Sequence, residues 1–398
     1  MKSLNALLRR HAPALTALVP PSLLSRGSAG VQQIQTTIQD ALSSAGIRAD
    51  RDASGVQKTI QDALQQAGLL APDPPAQTPA ADDASRAHAA SADGTTPRLH
   101  GAEPTTRVAR GAVAEHSYSN HAGARAYTLY VPPGLDTPEA PPAPLMMMLH
   151  GCTQTPADFA AGTRMNALAD AHGVIVVYPA QTARDNGQKC WNWFRSEDQS
   201  RGAGEPAVLA GIVEDIVSGH RVDSRRIYVA GLSAGAAMAV ILGRTYPDLF
   251  AAVGAHSGLP FGAATDVPGA FAAMQGRSKR AATPSPTAAS RVPTIVIHGT
   301  ADHTVRADNG NAIVADATAG NASTAPLRAE APETTKVNGR DCIHTAYVDA
   351  EGHIHVEHVV VAGAGHAWSG GDPSGSHTDA KGPDASALIL AFCLRHAH

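Results

Sequence analysis

Residues 226–240 constrain the fold of this 398-residue chain more than any other segment. An apolar run leads through Gly231-Leu232-Ser233-Ala234-Gly235 into an alanine-rich segment, which predicts a buried strand, a tight turn and a helix. Such a turn needs glycines around its serine, because the strained backbone crowds any larger side chain. The helix directs its free N–H groups towards the surroundings of Ser233. We therefore predict that Ser233 is a catalytic nucleophile; the alternative is a purely structural glycine-rich turn.

Composition narrows the class of protein. The net charge is −4 and no basic stripe stands out, so nucleic acid is not an expected partner. Aromatic residues make up only 4% of the chain, while Ala, Gly and Pro are used heavily, which indicates one compact domain plus a share of weakly structured chain. No apolar run approaches ~20 residues, so we expect no transmembrane segment.

The N-terminal segment, residues 1–70, contains an internal repeat. The sequence TIQDAL at residues 37–42 recurs at residues 59–64, and in each copy apolar residues at helical spacing are followed by a glycine suited to a helix C-cap. We expect a helical N-terminal extension. It either packs as a hairpin on the main domain or on a second copy of the chain, or adsorbs to an apolar surface such as a lipid or polymer particle.

Residues 71–106 contain almost no large apolar side chains, so they predict a disordered linker before a globular domain at residues 107–398. The first residues look superficially like a signal peptide, but Pro13, Pro20 and Pro21 interrupt the apolar part. The four cysteines fit either two disulfides in an exported protein or free thiols in a cytoplasmic one. These features leave the compartment open.

Short apolar runs alternate with helical segments through the globular domain. The predicted strands include residues 126–131, 145–149, 174–178, 251–255, 294–297 and 359–361, and the predicted helices include residues 161–172, 208–220 and 385–395. This alternation is typical of a mostly parallel sheet covered by helices on both faces. We expect an α/β fold on the α/β-hydrolase plan.

A nucleophilic serine needs a base, usually a histidine oriented by a carboxylate. On this plan the acid and then the histidine follow the serine in the chain, each just past the end of a strand. Asp302 follows the predicted strand 294–297, and His366 follows the last strand on a glycine-rich loop. We predict Asp302 as the orienting acid and His366 as the base. The nearby competitors are Asp308, His303 and His298, which we interpret as a packed turn residue.

Two backbone N–H groups are needed to hold the oxyanion of a tetrahedral intermediate. Ala234 follows the nucleophile, and Cys152 lies in the loop after the strand 145–149, so we predict these two amides as the donors. The thiol of Cys152 either forms a disulfide with Cys190, which would contribute about 3–4 kcal/mol to stability, or the two cysteines are unrelated buried thiols.

Aromatic side chains gather in one stretch of a chain that has few of them. Trp191, Trp193 and Phe194 either pack in the core or line an apolar acyl-binding cleft. His256 follows another predicted strand, and Trp368 lies beside the predicted base. We expect Trp191, Trp193, His256 and Trp368 to contact the substrate.

A second group of histidines invites a metal-site interpretation. His353, His355 and Glu357 alternate along one face of a strand, with His358 beside them. No histidine–carboxylate spacing typical of zinc stands out, so we interpret these side chains as a solvated strand face and expect no metal site.

The ordered motifs resemble those of the polyhydroxybutyrate depolymerase family of esterases, from near Arg107 to the end of the chain. They are His150-Gly151-Cys152-Thr153-Gln154, Cys190-Trp191-Asn192-Trp193-Phe194, Gly231-Leu232-Ser233-Ala234-Gly235, His256-Ser257-Gly258-Leu259-Pro260, His298-Gly299-Thr300-Ala301-Asp302 and Gly365-His366-Ala367-Trp368. The resemblance implies an α/β-hydrolase fold and a triad of Ser233, Asp302 and His366. It also implies hydrolysis of short-chain 3-hydroxyacyl esters, such as poly(3-hydroxybutyrate), with no metal or organic cofactor. Feruloyl and acetylxylan esterases belong to the same group of relatives, so they remain the alternative.

The N-terminal segment departs from the pattern of extracellular members, which carry a clear signal peptide and a C-terminal substrate-binding domain. The arrangement of its helical repeat and linker resembles that of depolymerases that act on the cell's own polymer granules. We therefore favour a cytoplasmic protein associated with polyester granules over an extracellular one. Two other functions remain as hypotheses: an acyltransferase, and a granule-coating protein with a vestigial hydrolase domain. The oligomeric state is not addressed by the sequence.

Overall fold

The fold is described from a computed structural model of the chain over residues 111–137, 139–277, 292–319 and 325–398. The predicted helical extension at residues 1–70 and the predicted linker at residues 71–106 lie outside this range. Both therefore stay predictions.

The described chain alternates strands and helices. The strands are β1 (Ala112–Asn120), β2 (Gly123–Val131), β3 (Ala143–Leu149), β4 (Ile175–Pro179), β5 (Val222–Leu232), β6 (Ala252–His256), β7 (Thr294–Gly299), β8 (Arg328–Ala329), β9 (Glu333–Val337), β10 (Arg340–Val348), β11 (Ile354–Val361), β12 (Trp368–Ser369) and β13 (Thr378–Asp379). The helices are α1 (Pro156–Thr163), α2 (Met165–His172), α3 (Gly204–Gly219), α4 (Ala234–Thr245), α5 (Val267–Met274), α6 (Asp308–Thr318) and α7 (Ala385–Cys393), with a 3-10 helix at Ser196–Gln199.

Eleven strands form one sheet in the order β1-β2-β4-β3-β5-β6-β7-β11-β10-β8, with β9 paired to β10. The six strands from β4 to β11 in this order run parallel to one another, whereas β1, β2, β8, β9 and β10 form antiparallel pairs. The carboxyl ends of the parallel strands therefore meet at one edge, where open α/β sheets hold their functional groups.

Strand β3 shows why the sheet needs helices on both faces. All seven of its residues are buried, and successive side chains enter opposite cores. Leu145 and Met147 pack in one core with α3 and α4, whereas Met146 and Met148 pack in the other with α2 and α7. A strand buried on both faces reads as a continuous apolar run, and the prediction of a central strand at residues 145–149 is confirmed. The predicted α/β-hydrolase plan with a mostly parallel sheet is confirmed with it.

The prediction of one helix over residues 161–172 is wrong. Two helices, α1 and α2, meet at Arg164, whose backbone takes left-handed values with a φ of 54°. The Arg164 amide donates to Ala160 O, and its guanidinium donates to Gly370 O at 2.8 Å. A contact with a residue so far along the chain fixes the break, and the local helical spacing does not reveal it.

No helix among the described residues combines the length and the apolar character that crossing a bilayer requires.

Candidate active site

Ser233 lies at the turn between β5 and α4 in a strained backbone conformation, with a φ of 58° and a ψ of −118°. The flanking glycines are required by close contact. A Cβ added to Gly235 would lie 2.0 Å from Leu149 O, and one added to Gly231 would lie 2.4 Å from the carbonyl carbon of Gly235. The Ser233 amide donates to His256 O at 2.9 Å, which attaches the turn to the neighbouring strand. Strain of this kind concentrates at functional sites, so the turn fits a presented nucleophile.

Asp302 and His366 meet at the same edge of the sheet. Asp302 follows β7 and His366 follows β11, and these neighbouring strands lie two and three places from β5 in the sheet. His366 Nδ1 donates to Asp302 Oδ2 at 2.7 Å. The other carboxylate oxygen accepts the amides of Thr304 at 3.0 Å and Val305 at 2.8 Å. The carboxylate is thereby fixed, and it orients the imidazole with Nε2 left to exchange a proton.

The electrostatic surroundings of Asp302 favour its ionised form. Burial by itself raises the pKa of this carboxyl, but hydrogen bonds from His298 and His366 outweigh it and hold the pKa well below its usual range. His298 Nε2 donates to Val305 O at 2.8 Å and lies 3.5 Å from Asp302 Oδ2. The interpretation of His298 as a packed turn residue fits its 1% exposure, but the sequence missed its contact with the acid.

The competing acid and base on this loop lie elsewhere. Asp308 begins α6, and its side chain is 68% exposed, 3.9 Å from the Arg306 guanidinium. His303 is also exposed to solvent. The predicted acid, Asp302, reaches His366, whereas its competitor Asp308 lies elsewhere.

The amide of Cys152 points away from the His150 ring because the peptide before it is held by its carbonyl. Gly151 O accepts His150 Nδ1–H at 2.7 Å, and the C=O and N–H of a planar trans peptide point in opposite directions. The neighbouring amides are already bonded, Gly151 N to Gln154 Oε1 and Thr153 N to Gln188 O.

Within the described residues, Cys152 N has no hydrogen-bond partner. Ala234 is the first residue of α4, so no intrahelical carbonyl faces its amide either. Both predicted oxyanion donors are therefore free to donate a hydrogen bond to a ligand oxygen.

His150 keeps this geometry as a neutral imidazole. It is fully buried, and burial lowers its pKa. Its Nε2 accepts the Gln181 amide at 3.1 Å, so the ring proton lies on Nδ1, where it is donated to Gly151 O. The sequence motif contained His150 but gave no sign of this tautomer.

The disulfide between Cys152 and Cys190 is present, which confirms that prediction. It joins the oxyanion loop to a segment held by a buried carboxylate, Glu205. That carboxylate accepts the amide of Asn192 at 2.7 Å and the Arg125 guanidinium at 3.0 Å, together with the side-chain amides of Asn192 and Gln181. We call Arg125, Gln181, Asp185, Asn192, Asp198 and Glu205 the Glu205 cluster. Sequence reasoning missed it, since Arg125 and Glu205 are far apart in the chain and neither belongs to a motif.

The four residues predicted to contact the substrate are buried: Trp191 is 0%, Trp368 1%, His256 2% and Trp193 6% exposed. The Trp191 indole donates to His150 O at 3.1 Å, and the Trp368 indole donates to Ser386 Oγ at 3.0 Å. His256 stacks on Trp368 and accepts the Ser369 amide. Burial lowers the pKa of His256 to about 3, so this ring is neutral. These contacts are packing contacts, and the substrate-binding role of the four residues stays a prediction.

The interpretation of His353, His355 and Glu357 as a solvated strand face is wrong for Glu357. This carboxylate is 4% exposed, accepts the guanidinium of Arg395 and lies 3.2 Å from His344 Nε2. His355 instead lies 2.8 Å from Asp349. Partners on β10 and at the C-terminus bury Glu357, and a strand pattern does not reveal them. The described residues contain no group of three or more side chains placed to hold a metal ion.

Comparison with known proteins places this arrangement among esterases. The family model described as esterase PHB depolymerase matches residues 125–330. The poly(3-hydroxyalkanoate) depolymerase C of Paucimonas lemoignei is 36% identical over 233 residues, covering 56% of this chain and 55% of that protein. The poly(3-hydroxybutyrate) depolymerase of Ralstonia pickettii is 30% identical over 269 residues, covering 63% of this chain and 54% of that protein.

Other similarities are shorter or more distant. Feruloyl esterase B of Neurospora crassa is 34% identical over 142 residues, which cover 35% of this chain and 46% of that protein. An acetyl xylan esterase structure from Aspergillus awamori has a TM-score of 0.50 at 21% identity, covering 64% of this chain and 94% of that one, and supports the fold alone. The chain spans about half the length of the curated relatives that it matches.

Proposed function

Because the chain belongs to the esterase PHB depolymerase family, we propose that it is a serine esterase that hydrolyses short-chain poly(3-hydroxyalkanoate), with poly(3-hydroxybutyrate) as the first candidate. The observation that carries the proposal is the 2.7 Å contact between Asp302 and His366 at the sheet edge that also bears the strained Ser233. This is the arrangement of a serine nucleophile, a histidine base and an orienting carboxylate.

The first half-reaction forms an acyl-enzyme. His366 Nε2 takes the proton of Ser233 Oγ while the oxygen attacks the ester carbonyl carbon. The negative charge that develops on the carbonyl oxygen is held by the amides of Cys152 and Ala234. When the intermediate collapses, the carbon–oxygen bond of the ester breaks and His366 returns the proton to the departing alcohol.

The second half-reaction releases the acid. His366 takes a proton from water, the hydroxide attacks the acyl carbon, and the same two amides hold the second oxyanion. Ser233 Oγ leaves with the proton from His366. Asp302 stays ionised through both steps, since its hydrogen bonds favour the carboxylate, and it stabilises the imidazolium each time it forms.

The substrate class rests on the relatives. The two depolymerases match more of this chain than feruloyl esterase B, with 56% and 63% of its length against 35%. A carbohydrate esterase is the second candidate, and the similarity to feruloyl esterase B is the observation that supports it.

Product release distinguishes the two. The full-length protein is incubated with amorphous poly(3-hydroxybutyrate) and, separately, with feruloylated and acetylated xylan. We expect hydroxybutyrate or its oligomers from the polyester and no more than trace ferulate or acetate from xylan. Ser233→Ala lowers turnover by several orders of magnitude without unfolding the protein. Faster release from xylan would assign the carbohydrate substrate instead.

The repeat in residues 1–70 supports a further part of the proposal, attachment to polyester granules through its apolar stripes. Removal of residues 1–70 is expected to reduce co-sedimentation with granules, while activity on a soluble ester reports that the catalytic domain is intact. Unchanged co-sedimentation would exclude this attachment role.

A further inference from the structure

The side chains of Thr153 and His377 meet beside the proposed oxyanion donor. Thr153 directly follows Cys152, and its Oγ1 lies 3.3 Å from His377 Nε2, although the two residues are 224 positions apart. Both residues are exposed, and both have left-handed backbones, with φ of 67° for Thr153 and 52° for His377. A β-branched residue rarely takes such a conformation, so an exposed Thr153 held there points to a function.

The two segments do not depend on this contact for their attachment. Gln154 Nε2 donates to Ser376 O at 3.0 Å. Asp158 accepts the Ser376 amide at 2.8 Å and its hydroxyl at 2.6 Å. These hydrogen bonds already join the two segments beside the Thr153–His377 pair, and the pair is available for another purpose.

His377 also borders the loop that carries the proposed base. The Trp368 amide donates to His377 O at 2.7 Å, and Trp368 lies two residues after His366. Gly151, on the other side, packs against Leu232, the residue before Ser233. The exposed pair thus lies where the oxyanion loop meets the loop that carries His366.

The hydrogen-bond directions define what the pair recognises. The Thr153 hydroxyl donates to Cys152 O at 2.5 Å, so its lone pairs face His377 and accept the proton on Nε2. A neutral imidazole with its proton on Nε2 has a bare acceptor at Nδ1. Among the described residues this Nδ1 has no partner, and the ring is exposed to solvent.

We infer that His377, oriented by Thr153, is a subsite that accepts a hydrogen bond from the free hydroxyl of a hydroxyacyl ester. The inference rests on the proposed esterase function and specifies its substrate: an acyl chain that ends in a hydroxyl, as the terminal unit of a polyhydroxyalkanoate does. An unsubstituted acyl chain of the same length lacks this hydroxyl and therefore makes no hydrogen bond to His377 Nδ1.

Two nitrophenyl esters test the subsite, 3-hydroxybutyrate and butyrate, which differ only in the hydroxyl. The readout is the ratio of their kcat/KM values for the full-length protein. His377→Gly removes the imidazole without straining the left-handed backbone, and His377→Asn keeps an acceptor oxygen near the position of Nδ1 in a residue that tolerates this backbone. His353→Gly, at a side chain that is 76% exposed just before β11, is the matched control.

We expect wild type and His353→Gly to prefer the hydroxylated ester. His377→Gly should lower the ratio of kcat/KM values by about tenfold, as the loss of one hydrogen bond predicts. His377→Asn should recover most of that loss. A ratio that His377→Gly leaves unchanged, including an equal loss on both esters, overturns the subsite while leaving the esterase function intact. Absence of wild-type activity on both esters overturns the esterase function and the subsite together.

Discussion

Two aspartates that are almost equally buried behave in opposite ways. Asp302 is 4% exposed and Asp198 is 3% exposed. Burial and the nearby carboxylate of Glu205 raise the pKa of Asp198 to about 6. Burial also opposes ionisation of Asp302, yet the hydrogen bonds from His298 and His366 hold its pKa below the usual range. The partners, rather than the depth of burial, decide which carboxylate stays charged.

The difference separates the carboxylate that contacts His366 from one that lies in the Glu205 cluster. Because the folded pKa of Asp302 lies below its unfolded value, its ionised form stabilises the fold above that unfolded value, and the contribution is lost as the pH falls through the folded pKa. For Asp198 the sign is reversed: the protonated form is favoured in the folded state, so stability falls as the pH rises from near 4 to about 6.

The largest expected effect comes from neutralising the acid at the active site. Asp302→Asn removes the charge that fixes the His366 tautomer, so we expect kcat to fall by about 10⁴-fold with the fold retained. Asp308→Asn, at an exposed acid of the same region, is the control and should retain wild-type kcat. Steady-state kinetics on a soluble ester measure both. Activity of Asp302→Asn within tenfold of wild type would show that this carboxylate does not orient the base.

The Glu205 cluster is expected to act on stability rather than on the charge of the base. Glu205→Ala leaves the Arg125 guanidinium, which is 8% exposed, with Asp185 at 2.8 Å as its remaining carboxylate, and it removes the acceptor of the Asn192 amide. We expect a loss of about 3–5 kcal/mol in the free energy of unfolding, measured by urea denaturation. Glu214→Ala, on the exposed face of the same helix, should cost far less. Equal losses for the two variants would contradict the role of the cluster.

The neutral His150 offers a test of the oxyanion geometry. His150→Leu removes the donor to Gly151 O and should lower kcat by about 10²–10³-fold with little change in KM, because the oxyanion exists only after attack. His150→Asn places an amide N–H near the position of Nδ1 and should recover part of that loss. A change confined to KM would mean that His150 shapes substrate binding instead.

The smallest expected effect is the gain in stability when the buried charge of Asp198 is removed. Asn at this position keeps an acceptor for the Glu205 amide, which lies 2.6 Å from Asp198 Oδ1, but carries no charge. Asp198→Asn should therefore raise the free energy of unfolding at pH 8 by up to about 3 kcal/mol, with the gain vanishing below pH 4. Unfolding curves across this range measure it, and Glu214→Gln, on the exposed face of α3, should show no such pH dependence.

Local sequence patterns predicted which side chains lie at the ends of strands. The glycines around Ser233 and the positions of Asp302 and His366 after successive strands led to a site whose acid and base the structure brings together. Local patterns did not predict contacts between residues that are distant in the chain. The tautomer of His150 depends on the Gln181 amide, and the burial of Glu357 depends on Arg395. Such contacts leave no periodicity in the sequence, so the Glu205 cluster was missed.

The central claim, that Ser233 attacks the ester, is tested most directly by covalent trapping. The full-length protein is treated with a fluorophosphonate, and the adduct is located by mass spectrometry of its peptides. The account predicts one adduct per chain, on Ser233, that forms more slowly in Asp302→Asn and is absent in Ser233→Ala. An adduct on another residue, with esterase activity lost in step with that labelling, would contradict it.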